Sequence, residues 1–298
     1  MGAVGKRILL VPYRKRYNIL EVIGVGTYGT VYKAKDLKNN LERALKEIKI
    51  PSFDSEQCQA VLKEAKLLAQ LANFHIVELT DAFYEKQNFY IAMEYCSHGT
   101  LDEYFCKARK DKKPFTEEQA TCWTVQLADA LACIHSKRII HRDLKTKNIF
   151  LATTGPGESW PDLKIGDFGI SRTLFGSSDL ASTCIGTPYY FSPEVFRQTG
   201  YNHKADMWAL GCILFEFSCL RHPFAPADNL LQLMHRVVSK EPDFDIDWTL
   251  SPDLKWICAL LLSKPPEKRP EAKELLKMSV FAKHVKKHKN KHEDVRML

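Results

Sequence analysis

The run His141-Arg142-Asp143-Leu144-Lys145-Thr146-Lys147-Asn148 and, further on, Asp167-Phe168-Gly169 put four useful groups in one short stretch. Asp143 can accept a proton, Lys145 is a cation, and Asn148 and Asp167 offer oxygen atoms to a hard metal ion. Phosphoryl transfer needs that mixture. The group in flight spreads negative charge over its oxygens, so rate comes from positioning and from cations set around it. In this reading Asp143 takes up or orients the proton of an acceptor hydroxyl. Lys145 neutralises charge near the moving phosphate, and Asn148 with Asp167 holds Mg2+, with Mn2+ as the alternative. An Asp in a loop is usually a turn former and an Asn usually a cap. That bland account must explain every residue at its offset at once.

Upstream, Gly24-Val25-Gly26-Thr27-Tyr28-Gly29-Thr30-Val31 is a glycine-rich turn of the kind that brings backbone N–H groups close to phosphates. Alone the pattern also suits a dinucleotide-binding turn, which a helix should follow. Here a strand follows, and the strand after it carries Ala44-Leu45-Lys46. Lys46 among apolar neighbours needs an anionic partner. Glu64, between Val61 and Leu68 on a helical pattern, is the best placed, ahead of Glu56 and Glu47. That pair would direct Lys46 onto the α- and β-phosphates of a nucleotide.

The elements that must position these groups fall into two sets. Tyr17–Ile23, Thr30–Ala34, Ala44–Ile48, Ile76–Tyr84 and Phe89–Tyr95 are β-branched or apolar runs and read as strands. Asp54–Leu71 reads as one helix, since Val61, Ala65, Leu68 and Leu71 share a face. After Ser97-His98-Gly99 the pattern is helical. Thr116-Glu117-Glu118-Gln119 is a capping box ahead of the stripe Trp123, Leu127, Ala130, Leu131 and Ile134. His141–Tyr201 reads as loop-rich. Asp206–Leu220 is apolar almost all round, which marks a buried central helix. Ser251 with Pro252 opens a further helix. The expected fold is α+β in two lobes, a small antiparallel sheet with one helix and a larger, mainly helical part.

At 298 residues two packed lobes are the natural expectation. Hydrophobic content of 45% with 27% charged residues suits a globular domain, not a disordered chain. Much of the formal charge of +7 lies in Lys6–Arg16 and Lys283–Lys291, read as a basic leader (residues 1–16) and a basic, flexible tail (282–298). Lys286-Lys287-His288-Lys289 lacks interleaved aromatics, so loose attraction to anionic polymers, and no specific nucleic acid, is expected. The nine cysteines form no Cys-x-x-Cys pair and are odd in number, which reads as free thiols in a reducing, cytoplasmic compartment. No apolar run reaches the roughly 20 residues of a membrane span. Lys6 after Gly2 argues against myristoylation.

With these motifs in hand, residues 17–281 resemble a eukaryotic protein kinase, with a small lobe over 17–96 and a large one over 97–281. Gly186-Thr187-Pro188-Tyr189-Tyr190-Phe191-Ser192-Pro193-Glu194 is similar to the segment that closes a kinase activation loop, with Ser192 in place of the usual Ala. The resemblance implies a Glu194–Arg269 pair, an Asp206 that braces the catalytic loop, and a spine of Leu68, Leu79, His141 and Phe168. It implies ATP as the nucleotide, held by Ile23, Gly24, Gly26, Gly29, Val31, Ala44, Lys46 and Phe150. Met93 would stand behind the adenine, with Glu94 and Cys96 as the hinge. Lys145 and Gly186-Thr187-Pro188 imply serine and threonine acceptors on protein substrates. Arg142 would grip a phosphorylated activation loop, with Thr183 as the switch ahead of Ser177, Ser178 and Ser182. Asn148-Ile149-Phe150-Leu151, Asp167–Arg172 and Thr183–Tyr190 resemble the NIMA-related (Nek) kinases, which carries with it cytoskeletal, centrosomal, ciliary or nuclear association. Two other functions compete. A pseudokinase scaffold would normally lack one of Lys46, Glu64, Asp143, Asn148 and Asp167, and none is missing. A binder of anionic polymers would work through the tail. Thr153–Pro161 reads as a surface insertion.

Overall fold

The computed structural model describes residues 16–26, 29–49, 65, 68–85, 88–152, 159–167, 188–244 and 248–287. Val61, Glu64, Phe168, Gly169, Thr183 and Thr187 lie outside the described residues, as do almost all of the basic leader and most of the insertion. The chain divides into two compact units, the first holding residues up to 72 and 76–97, the second 73–75, 98–168 and 183–298.

The first unit is a five-stranded antiparallel sheet in the order β1-β2-β3-β5-β4. Its strands are β1 (Tyr17–Gly26), β2 (Gly29–Asp36), β3 (Leu41–Lys49), β4 (Leu79–Glu85) and β5 (Asn88–Glu94). Strand alternation sends Leu45 and Ala92 into a core with Tyr17, Ala34, Phe83 and Tyr90. Tyr17, Phe83 and Tyr90 stack in succession, with ring centroids 5.7 and 5.3 Å apart. Arg16, read as the end of a solvated leader, instead bridges Asp36 and Asp81 and pins the end of β2 to β4. Ala65 and Leu68 are helical and buried.

The second unit is mainly helical. Among its elements are α1 (Leu101–Lys110), α2 (Glu117–Ser136), a hairpin of β6 (Ile149–Leu151) and β7 (Leu163–Ile165), α3 (Pro193–Phe196), α4 (His203–Cys219), α5 (Leu230–Ser239), α6 (Pro252–Leu261) and α7 (Ala272–Leu275). Thr116 caps α2 by accepting the Gln119 N–H, and Ser251 caps α6 with Pro252 in the first turn. A fully reciprocal box is found at Thr100 and Glu103, ahead of α1. α4 is buried from Ala205 to Cys219, as its lack of a polar face requires. Phe105, Phe115, Trp123 and Phe217 pack around one another and join α1 and α2 to α4. Residues 282–287, read as the start of a tail, are helical.

Candidate active site

In the first unit the glycine turn closes β1 onto β2, with Gly26 opposite Gly29. Gly29 is needed for packing as much as for any ligand. Its φ is +154°, and a Cβ there would lie 1.7 Å from the Glu47 carbonyl oxygen. Lys46 lies opposite Val31 on β2 and Ile91 on β5, and Ala44 lies opposite Met93. Because directly paired residues share a face, Val31, Ala44, Lys46 and Met93 all point to one side of the sheet. Leu45 and Glu47 point to the other. There the Glu47 carboxylate accepts from Tyr32 Oη at 2.9 Å, Tyr90 Oη at 2.7 Å and Asn88 Nδ2 at 2.8 Å. Glu47 is thus turned away from Lys46. Glu94, at the end of β5, donates its N–H to the Glu78 carbonyl, and Cys96 comes next but one, half-buried. Ile23 is exposed on β1.

In the second unit the loop from His141 to Asn148 is held from below by Asp206, fully buried in the first turn of α4. Its carboxylate accepts the backbone N–H groups of His141 at 2.9 Å and Arg142 at 3.2 Å, and the Tyr201 hydroxyl at 3.1 Å. His135 Nε2, on α2, lies 2.9 Å away. Burial alone would push this carboxyl up; the His135 bond and the other donors hold it below the usual carboxylate range. Arg142 sits at φ 67° with an exposed side chain. The Asp143 N–H donates to His141 Nδ1 at 3.3 Å, which leaves the proton on Nε2 to donate to the Gly166 carbonyl at 3.1 Å.

Asp143 is fixed from two sides. Lys145 Nζ donates to its Oδ2 at 2.9 Å, and Asn148 Nδ2 donates to the same oxygen at 3.0 Å and to the Asp143 carbonyl at 2.8 Å. With Nδ2 so engaged, Asn148 turns its other atom, Oδ1, to any cation. The β6–β7 hairpin brings Asp167 to the Asn148 end of the loop. Ile149 pairs with Ile165, the next residue Gly166 donates its N–H to the Asn148 carbonyl, and Asp167 follows, exposed and at φ 51°. Two oxygen ligands, one anionic, fit a hard divalent cation that takes its remaining ligands from water and phosphate. Among the described residues no cluster of three or more His, Cys, Asp or Glu could hold a metal. Phe150, central in β6, is half-buried and bridges Thr100.

The Glu194–Arg269 pair forms as expected. Arg269 donates to both carboxylate oxygens at 2.6 and 2.8 Å, and to the carbonyls of Ser263, Lys204 and Lys264, with its guanidinium 4.9 Å from the Trp208 ring centroid.

A second polar group beside the catalytic loop escaped the sequence reading. Thr146 bonds Asp102 at 2.9 Å and Tyr190 at 3.1 Å, and Tyr190 bonds Glu216 at 2.5 Å, which also accepts from Arg109 at 2.8 Å. From Asp102 to Glu216 the chain has three links but only two hydroxyl protons. A proton on Glu216 completes it, and burial pushes that carboxyl up to about 7 against the pull of Tyr190 and Arg109. The signal was present: Glu216 is the one acid between Met207 and Leu220 in an otherwise apolar helix.

The second unit thus holds a carboxylate clamped by a lysine and an asparagine, with that asparagine and an exposed aspartate set at the two ends of a hairpin. The first holds a lysine behind a glycine turn. These are the parts that phosphoryl transfer requires. The family model described as protein kinase domain matches residues 17–281, and the chain belongs to that family. It is similar to the serine/threonine-protein kinases Nek11 of Homo sapiens, 38% identical over 89% of this chain and 40% of the relative. Nek5 of Mus musculus is also 38% identical, over 88% and 40%. Nek1 of Mus musculus is 35% identical over 92% and 22%. The chain spans less than half the length of these relatives. No helix among the described residues is long and apolar enough to cross a membrane.

Proposed function

We propose that this chain is a NIMA-related serine/threonine kinase domain that moves the γ-phosphoryl group of ATP onto serine and threonine hydroxyls of proteins. One observation carries the reading: the clamp of Lys145 and Asn148 on a single Asp143 oxygen. An acceptor hydroxyl that hydrogen-bonds Asp143 is aligned for attack. Its oxygen bonds the γ-phosphorus, its proton passes to Asp143, and the bond to the β-phosphate oxygen breaks, leaving ADP with the electron pair. Lys145 offsets the charge gathering beside it. Lys46, on the same face as Val31, Ala44 and Met93, binds the α- and β-phosphates, with Glu64 as its proposed partner. Asn148 and Asp167 would hold Mg2+, which would supply positive charge to offset that of the phosphates.

Val31 and Ala44, with Met93, are the proposed adenine contacts of the first unit, supported by the shared face of β2, β3 and β5, with Glu94 and Cys96 as the proposed hinge and Phe150 as the proposed contact from the second unit. Thr183 is the proposed switch, its phosphate gripped by Arg142, whose backbone Asp206 fixes. Among the described residues no cysteine is in a disulfide, which fits a reducing, cytoplasmic setting.

The test is transfer of labelled γ-phosphate from Mg-ATP to a generic basic protein, with Asp167→Ala beside the wild type and phospho-residues identified afterwards. Phosphoserine and phosphothreonine from the wild type alone support the reading. Failure of folded, Thr183-phosphorylated wild type to transfer any phosphate removes it.

A further inference from the structure

A cavity of about 480 Å³ opens within the second unit beside the catalytic loop, with Lys145, Thr146, Tyr190, Glu216 and His222 on its walls. Lys145 touches Asp143, so a chain presenting its hydroxyl to Asp143 passes the mouth of this cavity. Most of the polar atoms there are engaged: Thr146 with Asp102, Tyr190 and Arg109 with Glu216. His222 is buried and not engaged in this way. It is 8% exposed, and among the described residues its Nε2 has no hydrogen-bond partner. The backbone N–H of Phe224 points to its Nδ1 at 3.4 Å, so Nδ1 is the acceptor. Burial and the nearby Arg109 keep the ring neutral. The remaining proton is therefore on Nε2, a buried donor with nothing to donate to.

We propose that His222 selects substrate by donating Nε2–H to a carboxamide side chain, glutamine or asparagine, lying in this cavity a few residues from the acceptor hydroxyl. The inference rests on the kinase reading above and names a specificity determinant for it. The chemistry of the walls decides the class of ligand. Arg109, Lys145 and Lys147 oppose a cation; Lys145 is already paired with Asp143, and the Asp102 carboxylate opposes an anion. An apolar side chain leaves the imidazole N–H buried and unpaired. A carboxamide is neutral, accepts from His222 through its oxygen, and offers its own N–H groups to the carboxyl groups opposite. The rings of Tyr189 and Tyr190, with centroids 5.0 and 5.2 Å from that of His222, give flat walls suited to a planar amide.

The experiment measures kcat/KM for serine peptides carrying Gln, Met, Glu or Lys in turn at each position within four residues of the acceptor, using the Thr183-phosphorylated chain. The wild type should favour Gln over Met and over Glu by about tenfold at one position. In His222→Phe, which keeps a flat ring and removes the donor, the Gln-to-Met ratio should fall to about one. His222→Gln, which keeps an N–H near the same place, should restore most of it. Each readout is a ratio within one enzyme, so a general loss of activity cancels. Transfer with no carboxamide preference in the wild type, as solvent pairing of the imidazole would give, or with a preference for Lys, overturns the proposal. So does a preference that survives in His222→Phe. Should His222→Phe fail to fold, the wild-type ratio and His222→Gln still decide. If the wild type transfers phosphate to no peptide, the kinase reading fails and takes this inference with it.

Discussion

At the scale of single residues the site depends on groups that never meet substrate. Asp206 gathers two backbone N–H groups, a tyrosine hydroxyl and His135 on one buried carboxylate, and so sets the path of the loop that carries Asp143. In Asp206→Asn one oxygen becomes an N–H donor and faces donors already there. The expected result is a fall in kcat with little change in KM for ATP, together with a loss of about 3 kcal/mol of stability. Steady-state kinetics and urea unfolding check both, and an unchanged kcat would mean the loop does not need this brace. Ser192 makes the opposite case. Its sequence context reads as a harmless small-for-small replacement of Ala, yet its hydroxyl is buried without a hydrogen-bond partner among the described residues. Ser192→Ala removes that unmet group. It should raise stability, by up to about 1 kcal/mol, with activity retained. A destabilised variant in the same unfolding assay would show that the hydroxyl is satisfied after all.

At the scale of elements, what the sequence revealed depended on length and repetition. The strands of the first sheet and the buried α4 helix were legible because a period of two, or the lack of any polar face, repeats over enough residues to register. The β6–β7 hairpin was not, since three-residue strands are too short for any period, and His141–Tyr201 read as loop. The site survived that gap because Asp143, Lys145, Asn148 and Asp167 announce themselves by type and offset. Thr146, Tyr190 and Glu216 are spread over distant segments, and only the fold makes them neighbours. Close packing of helices was likewise hidden. Gly211, inside α4, lies where a Cβ would be 2.8 Å from Leu261 Cβ and 3.0 Å from Leu262 Cδ2, so α4 and α6 meet through it. Gly211→Ala ordinarily gains helix propensity. Here it should instead lose about 1–3 kcal/mol from overpacking, read by thermal or urea unfolding. A gain in stability would mean that α6 can yield.

At the scale of the whole molecule, two buried groups beside the same cavity pull stability in opposite directions with pH. Glu216 has its carboxyl raised by burial to about 7 from an ordinary 4.5, so the folded form holds a proton the unfolded form has released. The stability it contributes is complete below about pH 4.5 and is lost as pH rises through about 7. His222 runs the other way. Burial and Arg109 push it down to about 3 from 6.5, so between those values the unfolded form binds a proton that the folded form refuses. Stability from this residue is therefore complete above about pH 6.5 and drains as pH falls towards 3. Replacing His222 by Phe removes that acid-side loss and leaves the Glu216 contribution in both proteins. The stability of wild type relative to His222→Phe, from urea unfolding at matched ionic strength, should therefore fall by about 2 kcal/mol between pH 7.5 and pH 5. Parallel pH curves for the two proteins would show that folded His222 takes up a proton as readily as the unfolded chain does. A ring able to charge in place would need an acceptor or solvent at Nε2, and the buried neutral donor assigned to the cavity wall would be lost with it.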